Sequence, residues 1–254
     1  MNRKEFIQSS TLAAFGTIVA PHILSTRHIT TIKALAFDAF AIFDPEPISK
    51  AVQTLFPEQS KQIIEVWQSR QFTYQWLRAL GHEYRNFWDV LLDALDFAFL
   101  KCGLDPQQAK KGQIMDAYEA IQAWPDVSPA LQQIKRENLK IAFLSNMTTK
   151  MLFRGIQNSK LNEYFDDVIS TDELQTYKPS PKAYQMAADK LKLSRDQILY
   201  VPFAGWDMAG AKWFGYPTFW LNRSNALPES LHAEPDGKGS SMSELLEFVG
   251  NHKR

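Results

Sequence analysis

Four places along the chain carry side chains able to do covalent chemistry. They are Asp38 at the end of an apolar run, Ser145 with Asn146 at the end of another, Lys178 in Tyr-Lys-Pro, and Asp207 in Gly-Trp-Asp. Taken singly, each has a plainer reading. A strand-end Asp caps a turn, Ser-Asn starts a helix, a lone lysine is a solvated surface group, and Asp207 could cap the helix behind it. Their order points to more. A nucleophilic carboxylate, a hydroxyl–amide pair, a lysine and a second carboxylate converging on one sheet edge make a site where covalent attack by an acid is stabilised and then reversed.

The elements that precede these residues must bring them together. Residues 32–38, 139–145 and 198–201 are short apolar runs alternating with helical stretches, the pattern of buried parallel strands in strand–helix–strand units. Residues 167–170 and 217–221 read as two further short strands. Helices are expected over 147–157, over 181–192, which opens with Pro181 after Ser180, and over 209–213. The fold class is α/β, a Rossmann-like core built on an open parallel sheet. In such sheets ligands bind beyond the carboxyl ends of the strands, where all four places fall.

Between Pro45 and about Asp126 the pattern turns to helices alone. Phe72, Trp76 and Leu80 recur four apart, and Phe87, Leu91, Leu95 and Phe99 do the same. This reads as an inserted helical cap over 46–126, with the core made of 31–45 and 127–254. The crossings are expected at Asp44-Pro45 and around Pro125-Asp126, stiffened by proline. Residues 222–243, rich in Ser, Gly, Asn and Pro, read as loop.

Composition narrows the partners. With 254 residues the chain exceeds the usual single unit and has room for a core plus an insertion. Its 45% hydrophobic and 13% aromatic residues are enough to bury that core. Lys plus Arg equals Asp plus Glu, 28 against 28, so no net field draws the chain to nucleic acid. The lone cysteine, Cys102, excludes an internal disulfide framework and a cysteine-based metal cluster, and reads as a small core residue. At the N-terminus, Arg3-Lys4 followed by Phe6-Ile7 and an uncharged, weakly apolar run over 12–24 resembles a twin-arginine export signal, with Lys4 in the second arginine place. Residues 1–30 are therefore expected to direct the protein to the periplasm. The run is short and interrupted by Pro21, so no membrane span is expected in the mature form.

From Ile32 to about Val249 the chain resembles the haloacid dehalogenase superfamily, and within it the type II 2-haloacid dehalogenases, as a divergent branch. The resemblance rests on Ala-Phe-Asp38, on Leu144-Ser145-Asn146, on Tyr177-Lys178-Pro179 with Tyr184 six residues after the lysine, and on Trp206-Asp207 followed by Gly210-Ala211. The cap string from Arg70 to Arg78 is similar to that family's cap as well.

That resemblance implies a small 2-halocarboxylate as substrate and no cofactor. Asp38 displaces halide from C2 to form an aspartyl ester, while Lys178 and Asp207 orient Asp38 and activate the water that releases a 2-hydroxy acid. Ser145 and Asn146 hold the substrate carboxylate, and Tyr184 supports the site or simply packs within it. Superfamily phosphatases place a second Asp two residues after the nucleophile and need Mg²⁺; here that place is Phe40. An apolar neighbour suits a leaving halide, which needs neither proton nor metal.

The chain also departs from the dehalogenase pattern. The turn after the nucleophile is Phe40-Ala41-Ile42-Phe43, without the family's threonine. The halide-drawing arginine after the cap tryptophan is Gln68, and Arg70 lies about 200° around the helix. Ser-Ser-Asn before the last motif becomes Pro202-Phe203-Ala204. The leaving group is then held by aromatic edges, Phe40, Phe203 and Trp206, with Gln68, or the substrate differs. Three readings follow: a metal-independent dehalogenase, an Mg²⁺-dependent phosphatase on the same fold, and a non-catalytic carboxylate-binding protein. The aromatic-rich cap could bury a homodimer face as readily as a pocket.

Overall fold

The computed structural model describes residues 31–107 and 110–252; the expected export signal at 1–30 lies outside the described residues. The first strand, β1 (Ala34–Phe37), is paired on both sides, with β2 (Lys140–Ser145) and with β4 (Ile198–Val201). With β3 (Asp167–Ser170) at the far edge, the order is β3-β2-β1-β4 and every pairing is parallel. Parallel pairing demands crossovers, and helices supply them. These are α7 (Thr149–Asn158) after β2, α8 (Pro181–Leu191) after β3 and α9 (Gly205–Phe214) after β4.

Both faces of the sheet are covered, so the strands carry apolar residues on both sides and alternation sorts them. Leu35, Phe37, Ile141, Phe143, Leu199 and Val201 point to one core cluster. Ala34, Ala36, Ala142 and Leu144 point to the other, where their small size leaves room for Tyr184, Tyr200 and Tyr216. Those three rings pack edge-on and stacked with centroids 5.7–6.4 Å apart.

Between β1 and β2 the chain runs through a one-turn helix α1 (Ala39–Ile42), then α2 (Glu46–Leu55), α3 (Ser60–Leu80), α4 (Phe87–Lys101) and α5 (Lys111–Glu119), before α6 (Val127–Arg136) returns to the sheet. The crossings out and back are joined by backbone hydrogen bonds. Asp44 N–H donates to Gln122 O at 2.8 Å and Trp124 N–H to Ile42 O at 3.0 Å, with an antiparallel bridge between Phe43 and Ala123. Helix α4 buries Phe87, Leu91, Leu95 and Phe99 as their spacing predicts. Asn86 caps its start, accepting from Asp89 N–H at 3.0 Å.

Helix α3 departs from its apolar pattern. Its buried stripe is Ile63, Trp67, Gln71 and Gln75, whereas Leu80 is 80% exposed. Phe72 and Trp76 instead set their rings against Trp206 of α9, with centroids at 5.4 and 5.6 Å. The amides in the buried stripe serve the site described below, which hydrophobic periodicity cannot see. The expected loop over 222–243 also needs correction. After β5 (Phe219–Leu221) it contains β6 (Gly237–Gly239), parallel to β5, before α10 (Met242–Asn251). Glycine is required there, since a Cβ at Gly237 would lie 2.5 Å from the Phe248 ring.

Candidate active site

Lys178 stands at the centre of the site with its ammonium fully buried. Each of its three N–H donors has an acceptor: Asp38 Oδ1 at 2.8 Å, Asp207 Oδ2 at 2.7 Å and the Tyr200 hydroxyl at 2.6 Å. Burial alone would lower its pKa, but the Asp207 and Asp38 carboxylates outweigh that and hold it above the ordinary lysine value. The lysine is therefore a fixed positive charge between two acids.

Asp207 is equally enclosed. Besides Lys178 it accepts from Tyr200 at Oδ2 and from Tyr184 at Oδ1, each at 2.7 Å. Burial pushes its carboxyl up, against the pull of Lys178. Burial, reinforced by the Asp207 charge, raises both phenols well above the usual tyrosine value, so they remain donors. Helix α9 can come this close to Tyr184 because position 210 is glycine. A Cβ there would lie 2.5 Å from the Tyr184 hydroxyl and 2.8 Å from Pro179.

Asp38 leaves β1 at the carboxyl edge of the sheet, with its N–H bonded to Val201 O at 3.1 Å. It is both the cap and the reactive group that the sequence allows. Its Oδ2 accepts from Phe40 N–H at 3.1 Å, closing the first turn of α1, while Oδ1 faces Lys178. Its side chain keeps 15% exposure, on the wall of a cavity. The carboxylate is thus held at two points and still reachable, which a nucleophile requires.

Ser145 and Asn146 lie opposite, at the end of β2. The Ser145 hydroxyl oxygen accepts from Met147 N–H at 3.1 Å and keeps its own proton to donate. The Asn146 amide is committed within the protein. Its oxygen accepts from Lys178 N–H at 2.8 Å and from Thr171 at 3.2 Å, and its nitrogen donates to Gln75 Oε1 at 2.8 Å. As it stands this amide joins α3 to the Lys178 backbone, and the donors left to a substrate anion here are the Ser145 hydroxyl and main-chain groups.

The cavity encloses about 500 Å³. Asp38, Phe40, Ser145, Asn146, Lys178 and Asp207 line it, as do Gln68, Phe203, Ala204 and Trp206. Phe40 packs against Phe203 with centroids 6.1 Å apart. Gln68 is exposed at the wall, whereas Arg70 stacks its guanidinium 4.5 Å over the Phe97 ring and does not line the cavity. Tyr184 stands behind Asp207 rather than on the cavity surface. The Trp206 indole N–H is buried with no hydrogen-bond partner among the described residues.

Three residues of the site carry no motif signal. Tyr200 lies inside an apolar strand run, and Gln71 and Gln75 lie in a helix read for its aromatics. A polar residue recurring with the period of a buried helix face was the available sign for the glutamines. Among the described residues no group of three or more His, Cys, Asp or Glu is placed to hold a metal ion, and no helix is long and apolar enough to cross a membrane.

Comparison with known proteins agrees with this geometry. A family model described as haloacid dehalogenase-like hydrolase matches residues 14–215. The chain is 34% identical over 218 residues to an (S)-2-haloacid dehalogenase of Pseudomonas sp. strain YL, covering 85% of this chain and 94% of the relative. It is 33% identical to (S)-2-haloacid dehalogenase 4A of Burkholderia cepacia, covering 88% and 97%. Among solved structures, the L-2-haloacid dehalogenase of Xanthobacter autotrophicus with chloropropionic acid covalently bound superposes with a TM-score of 0.79 at 29% identity, over 87% of this chain and 99% of the other.

Proposed function

This chain belongs to the haloacid dehalogenase-like hydrolases, and we propose that it is a dehalogenase that converts a 2-halocarboxylic acid to the 2-hydroxy acid through an ester on Asp38. One observation carries the reading. Asp38 is pinned by Lys178 and by the Phe40 N–H, faces a cavity, and has the apolar Phe40 ring where phosphoryl chemistry would need a proton donor.

In the first step an Asp38 oxygen forms a bond to C2 while the carbon–halogen bond breaks, and halide leaves with the electron pair. Lys178 holds the other oxygen in place. In the second step water adds to the ester carbonyl of Asp38. Its proton passes to the carboxylate side of the network, where Asp207 has its affinity for a proton raised by burial. Collapse breaks the ester C–O bond, the departing oxygen takes that proton to leave as the 2-hydroxy acid, and the carboxyl proton left on Asp38 is lost to solvent, restoring the carboxylate. Ser145 binds the substrate carboxylate, Asn146 and Tyr184 position Lys178 and Asp207, and the halide departs among Phe40, Phe203, Trp206 and Gln68.

Halide release from the separate enantiomers of 2-chloropropionate and 2-bromopropionate, in EDTA, tests this directly. Release from the S enantiomer that disappears in Asp38→Asn is expected. Turnover of a phosphate ester that requires Mg²⁺ would replace the reading with the phosphatase one.

The same proposal extends to location. The Arg3-Lys4, Phe6-Ile7 and uncharged 12–24 pattern supports export through residues 1–30 to the periplasm. Full-length protein confined to cytoplasmic fractions would overturn it. A homodimer is the state to look for by sedimentation, since Leu77, Leu80 and Leu100 of α3 and α4 are exposed.

A further inference from the structure

The cavity extends well past the reacting carboxylate. Helix α3 serves as a ruler for it: Gln75, bonded to Asn146 at the reacting end, Gln71, Gln68, Trp67 and Ile64 all line the wall. At the helical rise, Ile64 lies about 16 Å along the axis from Gln75. Each helix of the insertion lends the wall an apolar side chain: Ile48 of α2, Trp67 of α3, Phe87 of α4 and Tyr118 of α5. The charged residues on the wall are Asp38, Lys178, Asp207 and Glu229, and none comes from these four helices.

Tyr118 packs edge-on against Trp67 with centroids 5.9 Å apart, and its hydroxyl has no hydrogen-bond partner among the described residues. A space of about 500 Å³ is within the roughly 300–1,000 Å³ that holds drug-sized ligands. A 2-halopropionate, with its handful of non-hydrogen atoms, leaves most of it empty. The wall also carries Ser49 and the amides of Gln68 and Gln71, and its apolar side chains gain little from so short an acid and more from a longer one.

We infer that the insertion forms a subsite for the C2 substituent, and that the preferred substrates are 2-halocarboxylates bearing an apolar chain of several carbons at C2. This rests on the dehalogenase reading for the reaction, but the subsite itself does not. A longer chain extends from C2 along α3 toward Trp67 and Ile48, while the carboxylate and the halogen stay at the sheet edge.

Two measurements on the full chain separate the two claims. One is kcat/KM for S-2-bromo acids from propionate to octanoate; the other is calorimetric affinity for the unreactive parent acids over the same range. Each added methylene should raise both by roughly threefold until the cavity is filled. Ile48→Trp should collapse the octanoate-to-propionate ratio. Tyr118→Phe, too conservative to threaten folding, should raise that ratio, because the long chain no longer covers an unpaired hydroxyl. A flat or falling series in the face of good 2-bromopropionate turnover overturns the subsite and leaves the reaction standing. Tighter binding of octanoate than propionate without bromide release from any acid upholds the subsite and overturns the reaction. No gain in either series overturns the subsite.

Discussion

The floor of the cavity and its cap-side wall are held by different physics. On the floor every donor of Lys178 is spent, and Asp207 accepts from three groups at 2.7 Å. Displacing one member leaves a charge or a hydroxyl stranded in a low-dielectric interior, so the floor is fixed as a unit. The wall is made of rings and neutral amides. Gln68 is exposed, the Trp206 N–H lacks a partner among the described residues, and shape complementarity among rings tolerates exchange. Two of the departures from the dehalogenase pattern fall on the wall, while the third, Ala41 in the turn after Asp38, is buried beside the floor. Gln68 and Ala204 lie on the wall, whereas Asp38, Lys178 and Asp207 are kept. The residues proposed for chemistry lie in the part that cannot drift, and those proposed to surround the halide mostly in the part that can.

The largest expected effect strikes the floor. Asp38→Asn should lower single-turnover halide release by about 10⁴-fold or more, with Tm nearly unchanged because Lys178 keeps Asp207. Comparable turnover in the variant would mean that another group attacks. Lys178→Met should cost about 3–5 kcal/mol in urea unfolding, through the Asp207 charge it strands. A wall substitution, Gln71→Leu, should cost under about 1 kcal/mol by the same measurement, and equal costs for the two would erase the distinction.

The pH dependence of stability sharpens the contrast. Lys178, Tyr184 and Tyr200 on the floor and Tyr118 on the wall all have raised values, the tyrosines chiefly through burial and Lys178 through its carboxylates. In each case the folded state binds the proton more tightly than the unfolded chain. Their contribution is complete below the ordinary values near 10 and is lost as pH rises beyond them. Thermal melts should therefore be flat from neutrality to about pH 10 and fall steeply above it, by about 5–10 °C per pH unit. A smaller effect than at Lys178 is expected from Tyr200→Phe, about 1–2 kcal/mol, with kcat lowered and KM unchanged. A raised KM instead would place that hydroxyl against the substrate.

Much of this was readable in the sequence. The strands β1, β2 and β4 are apolar runs because both sheet faces are covered, and Asp38 after β1 and Ser145-Asn146 at the end of β2 are polar residues that reach the cavity. What escaped was polarity with a tertiary purpose. Gln75 is buried where Asn146, 71 residues away, donates a hydrogen bond to its Oε1; the spacing of Gln71 and Gln75 marks a shared face but not that partner. Tyr200 reads as one more strand aromatic, since its hydroxyl is explained only by Lys178 and Asp207. The strand β6 is Gly-Lys-Gly, with only Lys238 to mark a face, and the Phe219 and Phe248 rings need the bare backbone of its glycines.

The central ion pair also ties competence to synthesis. Asp38 and Lys178 are 140 residues apart along the chain, and Asp207 follows Lys178 by 29 more. A nascent chain releases its attacking group early and waits for most of its length before the lysine arrives, then longer for the second acid. Truncation between Lys178 and Asp207 leaves the ammonium one counter-charge short. The carboxylate is held in its place only after two distant segments of the chain have arrived.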